Sequence, residues 1–146
     1  MAQHAVDTDA IVLDCIDHGE SDLIVTLFCR DRGRIAAIAK GAKKSKKRFV
    51  NKLELFTFLR VNYQQKDTQS LAFLAEADIH TSFLNIRKSL GLYTTASVIR
   101  EFLLIAMREG EVDLKVFRLS LWALHQLNLS NQPQAILALF LVRFFD

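Results

Sequence analysis

LIVTLFCRDRGRIAAIAK, residues 23–40, consists of two runs of alternating side chains joined by a turn. Leu23, Val25, Leu27 and Cys29 share one face of the first run. Ile35, Ala37 and Ala39 share one face of the second, set against Arg34 and Lys40. A period of two marks a strand with one buried face. Residues 30–33 (RDRG) read as a hairpin loop, with Gly33 supplying a positive φ. On the N-terminal side, residues 19–22 (GESD) form a second turn signal. Residues 8–17 alternate again, with Ile11, Leu13 and Cys15 on one face and Asp14 on the other. On the C-terminal side, residues 53–63 are apolar on both faces, as in a strand shared by two packing surfaces. Residues 64–70 are polar and turn-like, and residues 71–76 close the set. Five short strands with tight turns imply a small barrel or sandwich, and a five-stranded OB-type barrel over residues 1–80 is the natural candidate.

After residue 80 the period becomes helical. Ser82 is placed to cap a start. Across residues 85–107 the polar positions Arg87, Thr94, Glu101 and Arg108 recur every seventh residue. A helix wet along one stripe is expected near the centre of a bundle. Gly110 and Glu111 break it, and Asp113 can cap a second helix that runs to about residue 127. Pro133 suits the first turn of a third helix, whose apolar face continues to Phe145. The expected architecture is α+β: an OB-fold barrel over 1–80, then a helical bundle over 81–146. That apolar face carries the expectation that the natural protein continues, or that a partner covers it.

The charge is concentrated. Residues 40–52, KGAKKSKKRFVNK, hold Lys40, Lys43, Lys44, Lys46, Lys47, Arg48 and Lys52 and no acid. These are seven of the nineteen Lys and Arg, and the other twelve are outnumbered by sixteen Asp and Glu. The formal charge of +3 is therefore one cationic stretch on a mildly acidic body. Packed like charges repel, and a nucleic-acid backbone offsets that cost by releasing counterions. A solvated loop, a nuclear localisation signal and an anionic membrane surface are the other readings of such a run. Gly41 lets a backbone approach a ligand closely, and Phe49 offers a ring to an unpaired base. Phe28, Phe56, Phe58, Tyr63 and Phe73 could stack on bases too, but read more simply as core.

No catalytic pattern emerges. Phosphate-loop, GxGxxG, GxSxG and HExxH motifs are missing. His4, His18, His80 and His125 have no metal-ligand spacing. Asp14, Asp17, Glu20 and Asp22 gather around the first turn and read as a solvated acidic turn. Cys15 and Cys29 read as reduced, buried thiols in a cytoplasmic protein rather than a disulfide. The longest apolar runs fall far short of a membrane span, and the opening MAQHAVDTDA lacks the pattern of a signal peptide.

Residues 19–49, GESDLIVTLFCRDRGRIAAIAKGAKKSKKRF, resemble the opening of the RecO family of bacterial DNA repair proteins. The order is the same: a Gly-Glu-x-Asp turn, a strand ending Thr-Leu-Phe, an Arg-x-x-Gly turn, then Ala-Lys-Gly-Ala followed by basic residues and Arg-Phe. LELF at 53–56 resembles the continuation, with Leu55 where proline is common. The helical half fits more loosely. The resemblance implies an OB fold followed by helices, and a recombination mediator rather than an enzyme. Such proteins bind single- and double-stranded DNA, anneal complementary strands, and work with RecR to load RecA onto strands coated with the single-stranded DNA-binding protein SSB. DNA contact carries over to Lys40, Lys43, Lys44, Lys47, Arg48 and Phe49, which match the motif. A cytoplasmic, nucleoid-associated location is implied as well. The family's further C-terminal part, often bearing a cysteine zinc site, has no counterpart in these residues, and no cofactor or metal is expected here.

The full set of expected DNA contacts is Lys40, Lys43, Lys44, Lys46, Lys47, Arg48, Phe49 and Lys52, with Arg34 from the adjoining strand. Two alternatives remain open: an RNA-binding OB module, because stacking does not read the sugar, and a protein-interaction scaffold docking through its apolar helices. An enzyme is the least supported reading.

Overall fold

Alternation builds the first half of the chain into a sheet that closes on itself. The computed structural model describes residues 4–67 and 70–146. Strand β1 (His4–His18) pairs antiparallel with β2 (Asp22–Cys29), and β2 with β3 (Gly33–Ala39). β3 meets β5 (Ala72–Thr81) in parallel, through Ala37 with Ala72 and Ile38 with Phe73. β5 runs antiparallel to β4 (Phe58–Gln65), and β4 returns antiparallel to β1. The order β1-β2-β3-β5-β4 makes a closed barrel, with the short parallel contact of β3 and β5 as its closing seam.

The barrel interior follows the two-residue period. Val25, Leu27, Cys29, Ile35, Ala37 and Ala39 all point inward, as the alternation of the β2–β3 hairpin dictates. β1 departs from expectation. Its register slips between Val12 and Asp14, a bulge. Ala10 and Val12 therefore join the interior, while Ile11 and Leu13 leave it and pack with the helices. Past the bulge Cys15 returns to the interior side, so it does not share a face with Ile11 and Leu13. A bulge inserts one residue and re-aims everything after it. The two thiols are free, Cys29 buried and Cys15 half-buried, and Cys15 lies opposite Val25 rather than Cys29.

Two expected boundaries move. The strand expected over residues 53–63 begins at Phe58, because Asn51 and Phe56 adopt positive φ (56° and 71°) and turn the chain. Leu53 and Phe56 are buried all the same, as loop residues folded back on the barrel. Phe56 N–H donates to the Val12 carbonyl (2.9 Å), and Val12 N–H donates to the Thr57 carbonyl (3.0 Å). The last strand extends to Thr81. The polar turn expected over 64–70 is described except at Thr68 and Gln69, which lie outside the described residues.

The helical half comprises α1 (Leu84–Lys88), α2 (Leu90–Ala106), α3 (Leu114–Leu129) and α4 (Pro133–Phe144). The single helix expected over residues 85–107 is two, broken at extended Ser89. Ser89, rather than Ser82, supplies a cap, its side chain accepting from Leu92 N–H at 3.3 Å. Asp113 caps α3 as expected, accepting from Val116 N–H at 3.0 Å, and Pro133 opens α4. α2 is wetter than a central bundle helix: Leu90, Val98 and Ile105 are exposed alongside Thr94 and Glu101. The reason is that α2 buries its other side against the barrel as well as against α3 and α4. Ile11, Leu13, Phe28 and Phe56 share one apolar cluster with Ala96, Ile99, Leu103, Phe117 and Leu124. Phe28 and Phe117 meet edge to face at 5.6 Å.

Polar struts fasten the two halves. Arg100 of α2 donates to the Leu13 carbonyl and, at 2.9 Å, to the Asp14 carboxylate. Its guanidinium thus serves the carbonyl exposed by the β1 bulge. Gly110 N–H donates to the Arg34 carbonyl at 2.9 Å. Gly33, at φ 70°, lies so close to the Glu111 backbone that an added Cβ would stand 2.3 Å from that residue's carbonyl oxygen.

Candidate nucleic-acid interface

The cationic stretch is the β3–β4 connection. It leaves the barrel at Lys40, makes one short 3-10 turn at Ala42–Lys44, and stays irregular to residue 57. Gly41 starts that turn at φ 70°, with nothing within 4 Å of its Cα substituent position. Glycine is needed there for conformation rather than for space.

The acidic first turn holds this loop. Asp22 Oδ1 accepts Gly41 N–H at 2.8 Å. The Ser21 carbonyl accepts Lys43 N–H at 3.0 Å, and Asp17 Oδ2 pairs with Lys43 Nζ at 3.1 Å. The Gly-Glu-Ser-Asp turn is therefore a clamp on the basic loop, not a free solvated patch. From the sequence its role was hidden, because the two segments lie about twenty residues apart and meet only once β2 and β3 pair.

The clamp and a single aromatic anchor shape the loop. Phe49 is 3% exposed and belongs to the barrel core with Ala42 and Leu53. This corrects the expectation that Phe49 stacks on a base: its ring is already packed. Phe49 instead pins the loop, its N–H donating to Ser45 Oγ at 3.0 Å. The Arg48 guanidinium lies over its ring at 4.6 Å, and Arg48 also donates to the Lys40 carbonyl at 3.0 Å.

With Phe49 inward, the charges face water. Lys40, Lys43, Lys44, Lys46, Lys47 and Arg48 are all exposed. Among the described residues Lys40, Lys44, Lys46 and Lys47 form no ion pair, Lys43 pairs with Asp17, and Lys52 approaches Asp78 at 3.8 Å. The loop thus gathers six ammonium groups and a guanidinium, with two acids, Asp17 and Asp78, paired to it among the described residues.

Arg34 does not belong to this set. Its Nη1 donates to the Leu104 carbonyl of α2 at 3.0 Å, so the side chain is committed to the barrel–helix junction. Replacing Arg34 with glutamine is expected to lower stability by about 1–2 kcal/mol, the loss of one charged hydrogen bond to a carbonyl. It should leave the salt dependence of polyanion binding unchanged. Urea unfolding alongside a titration at several salt concentrations separates the two effects.

Of the other aromatics, Phe28, Phe56 and Tyr63 are buried. Phe58 is engaged with His80 and Phe117 at ring separations of 4.8 and 6.2 Å. The ring that sequence reasoning passed over is Tyr93, in the first turns of α2. It is 37% exposed and in edge-to-face contact with Phe56 at 5.4 Å. Its place beside Thr94 on the polar stripe was the available signal.

Two clefts flank the loop. One, of about 370 Å³, has Cys15, Ala42, Phe49 and Leu53 in its floor and Lys43 and Asn51 at its rim. The other, of about 280 Å³, is lined by Cys15, Leu53, Glu54, Leu55, Arg87 and Tyr93. Cys15, Leu53 and Glu54 belong to both, so the clefts adjoin. Burial, with the Asp14 and Asp17 charges behind it, pushes the Cys15 thiol above its usual range. That holds it protonated at neutral pH. Among the described residues no group of three or more His, Cys, Asp or Glu is placed to hold a metal ion, and no helix is long and apolar enough to cross a membrane.

Comparison with known proteins agrees with this architecture. The family model described as "Recombination protein O N terminal" matches residues 1–83. The chain is 36% identical over 139 residues to a DNA repair protein RecO of Syntrophobacter fumaroxidans, covering 95% of this chain and 55% of that protein. It is 35% identical over 132 residues to its namesake in Salinibacter ruber, covering 90% and 51%. With the protein of the same name from Desulfatibacillum aliphaticivorans the identity is 36% over 143 residues, covering 95% and 55%. The chain spans about half the length of these curated relatives. A barrel closed in the order β1-β2-β3-β5-β4, a match across all of it, and relatives alike through the helices as well lead to one conclusion: the chain belongs to the RecO family.

Proposed function

We propose that this chain is a non-enzymatic DNA-binding module of DNA repair and recombination, which grips phosphates with the loop of residues 40–52. The observation that carries the reading is the exposed set Lys40, Lys44, Lys46 and Lys47, without ion pairs among the described residues, on a loop clamped by Asp22 and pinned by Phe49. A loop held in one shape presents its charges without first losing conformational freedom. Single and double strands both fit, because phosphates are common to each. Annealing follows from the same electrostatics: lysines that neutralise two strands lower the repulsion between them. Cooperation with RecR and SSB to load RecA, in a bacterial cytoplasm near the nucleoid, belongs to this proposal through family membership.

The test is a fluorescence titration of labelled single-stranded and duplex DNA at several salt concentrations. About five neutralised phosphates give a log–log slope of roughly −4 to −5 on duplex DNA by the counterion rule, and about −3.5 on single strands. Absence of binding in dilute buffer refutes the proposal. A clear preference for RNA over DNA of equal length would favour an RNA-binding module instead.

A further inference from the structure

We infer that the two adjoining clefts beneath the cationic loop form one groove that accepts an unpaired nucleobase, with Tyr93 of the helical half as its stacking ring. The inference rests on the DNA-binding reading above and adds to it a subsite for bases and a role for α2.

The geometry carries the inference in three ways. First, the groove starts under the phosphate-binding surface: Lys43 stands at the rim of one cleft and is part of the cationic loop. A strand whose phosphates follow Lys44, Lys46 and Lys47 passes beside that mouth. Second, the two clefts merge at Cys15, Leu53 and Glu54; the first two give an apolar floor, and the walls carry a few polar groups, Asn51, Glu54 and Arg87 among them. An apolar slot with a few convergent donors and acceptors suits a flat heterocycle. Third, Tyr93 is a half-exposed ring lining the far end, held against Phe56. Aromatic rings exposed beside cationic paths are the usual platform for unstacked bases.

The one acid in the groove does not oppose a polyanion. Glu54 is paired with Arg87 at 2.6 Å, and Arg87 also donates to Thr57 Oγ1 at 2.7 Å. The carboxylate is thereby neutralised and the guanidinium is fixed at the mouth between barrel and helices. A duplex keeps its bases stacked and paired, so only single strands can use the groove. The occupant is thus an extruded base of a single strand, chosen by the charge of the loop above it and the ring at its end.

The experiment compares three probes on the whole chain: a base-bearing single strand, an abasic deoxyribose-phosphate strand of equal length, and a duplex. The wild type should bind the base-bearing strand about tenfold more tightly than the abasic one, the lower part of the range for one stacked base. Tyr93→Ala should abolish that difference, Tyr93→Phe should retain it, and neither should alter duplex binding or the salt slope. Alkylation of Cys15 gives a second readout that needs no substitution: the base-bearing strand should slow it and the abasic strand should not. If both strands bind equally to the wild type and protect Cys15 equally, the base site is refuted while phosphate binding stands. If none of the three probes binds, the DNA-binding reading itself fails, and this inference with it.

Discussion

Replacing Lys40, Lys44, Lys46 and Lys47 together with alanine should flatten the salt slope for single-stranded DNA by about 3 and weaken binding about a hundredfold in dilute buffer. Each of the four is exposed and none is ion-paired among the described residues, so each loses one phosphate contact and no internal one. The fold should be nearly indifferent, with unfolding free energy changed by less than about 1 kcal/mol, as for surface positions away from packing. The loss should extend to duplexes and to every sequence, because phosphates carry no sequence. Titrations at several salt concentrations, paired with urea unfolding of the same variant, give both numbers. A slope that does not change would remove the loop from the interface.

Gly33→Ala is expected to have the largest effect on stability, about 3–5 kcal/mol, in the range reserved for backbone strain combined with overpacking. Its φ of 70° alone costs an alanine about 1–2 kcal/mol. The remainder comes from contact, since the new methyl would lie 2.3 Å from the Glu111 carbonyl oxygen and 2.6 Å from its carbon. Those are backbone atoms and cannot rotate aside. The segment carrying them must shift, and the Gly110-to-Arg34 hydrogen bond shifts with it. Gly19→Ala is the control: it has a similar φ of 67° with nothing within 4 Å, so only the conformational cost applies. A marked drop in the denaturant midpoint for Gly33→Ala and a small one for Gly19→Ala is the expected pair. Equal losses would mean that the contact with Glu111 adds nothing.

The β2–β3 hairpin was legible because β3 buries one face only and β2 departs from that pattern at Phe28 alone, dry on the outer face under the helices, and RDRG supplied the glycine its turn requires. Asp113 and Pro133 announced their helices because caps act locally. What escaped was whatever depends on a third element. The β1 bulge is invisible in a sequence whose residues 10–13 are all apolar: with both faces buried, alternation carries no phase. Leu53 and Phe56 read as strand because they are buried, yet a loop folded over a barrel buries side chains without pairing its backbone. Ser89 interrupts a helical pattern that continues in phase on both sides. Phe49 looked available because its neighbours in sequence are lysines, whereas its neighbours in space are Ala42 and Leu53. The cationic stretch itself was plain from composition, but the acids that hold it in shape were not, because Asp17 and Asp22 reach it across the barrel's own pairing.

Two outward side chains of β1 have a consequence for anyone who wishes to dissect the protein. Ile11 and Leu13, together with Phe28 and Phe56, lie on the outer wall of the barrel yet are as dry as its interior. A barrel excised at the end of β5 would carry that greasy wall into water and self-associate. Grafting the same barrel onto a different companion would demand rewriting those four positions.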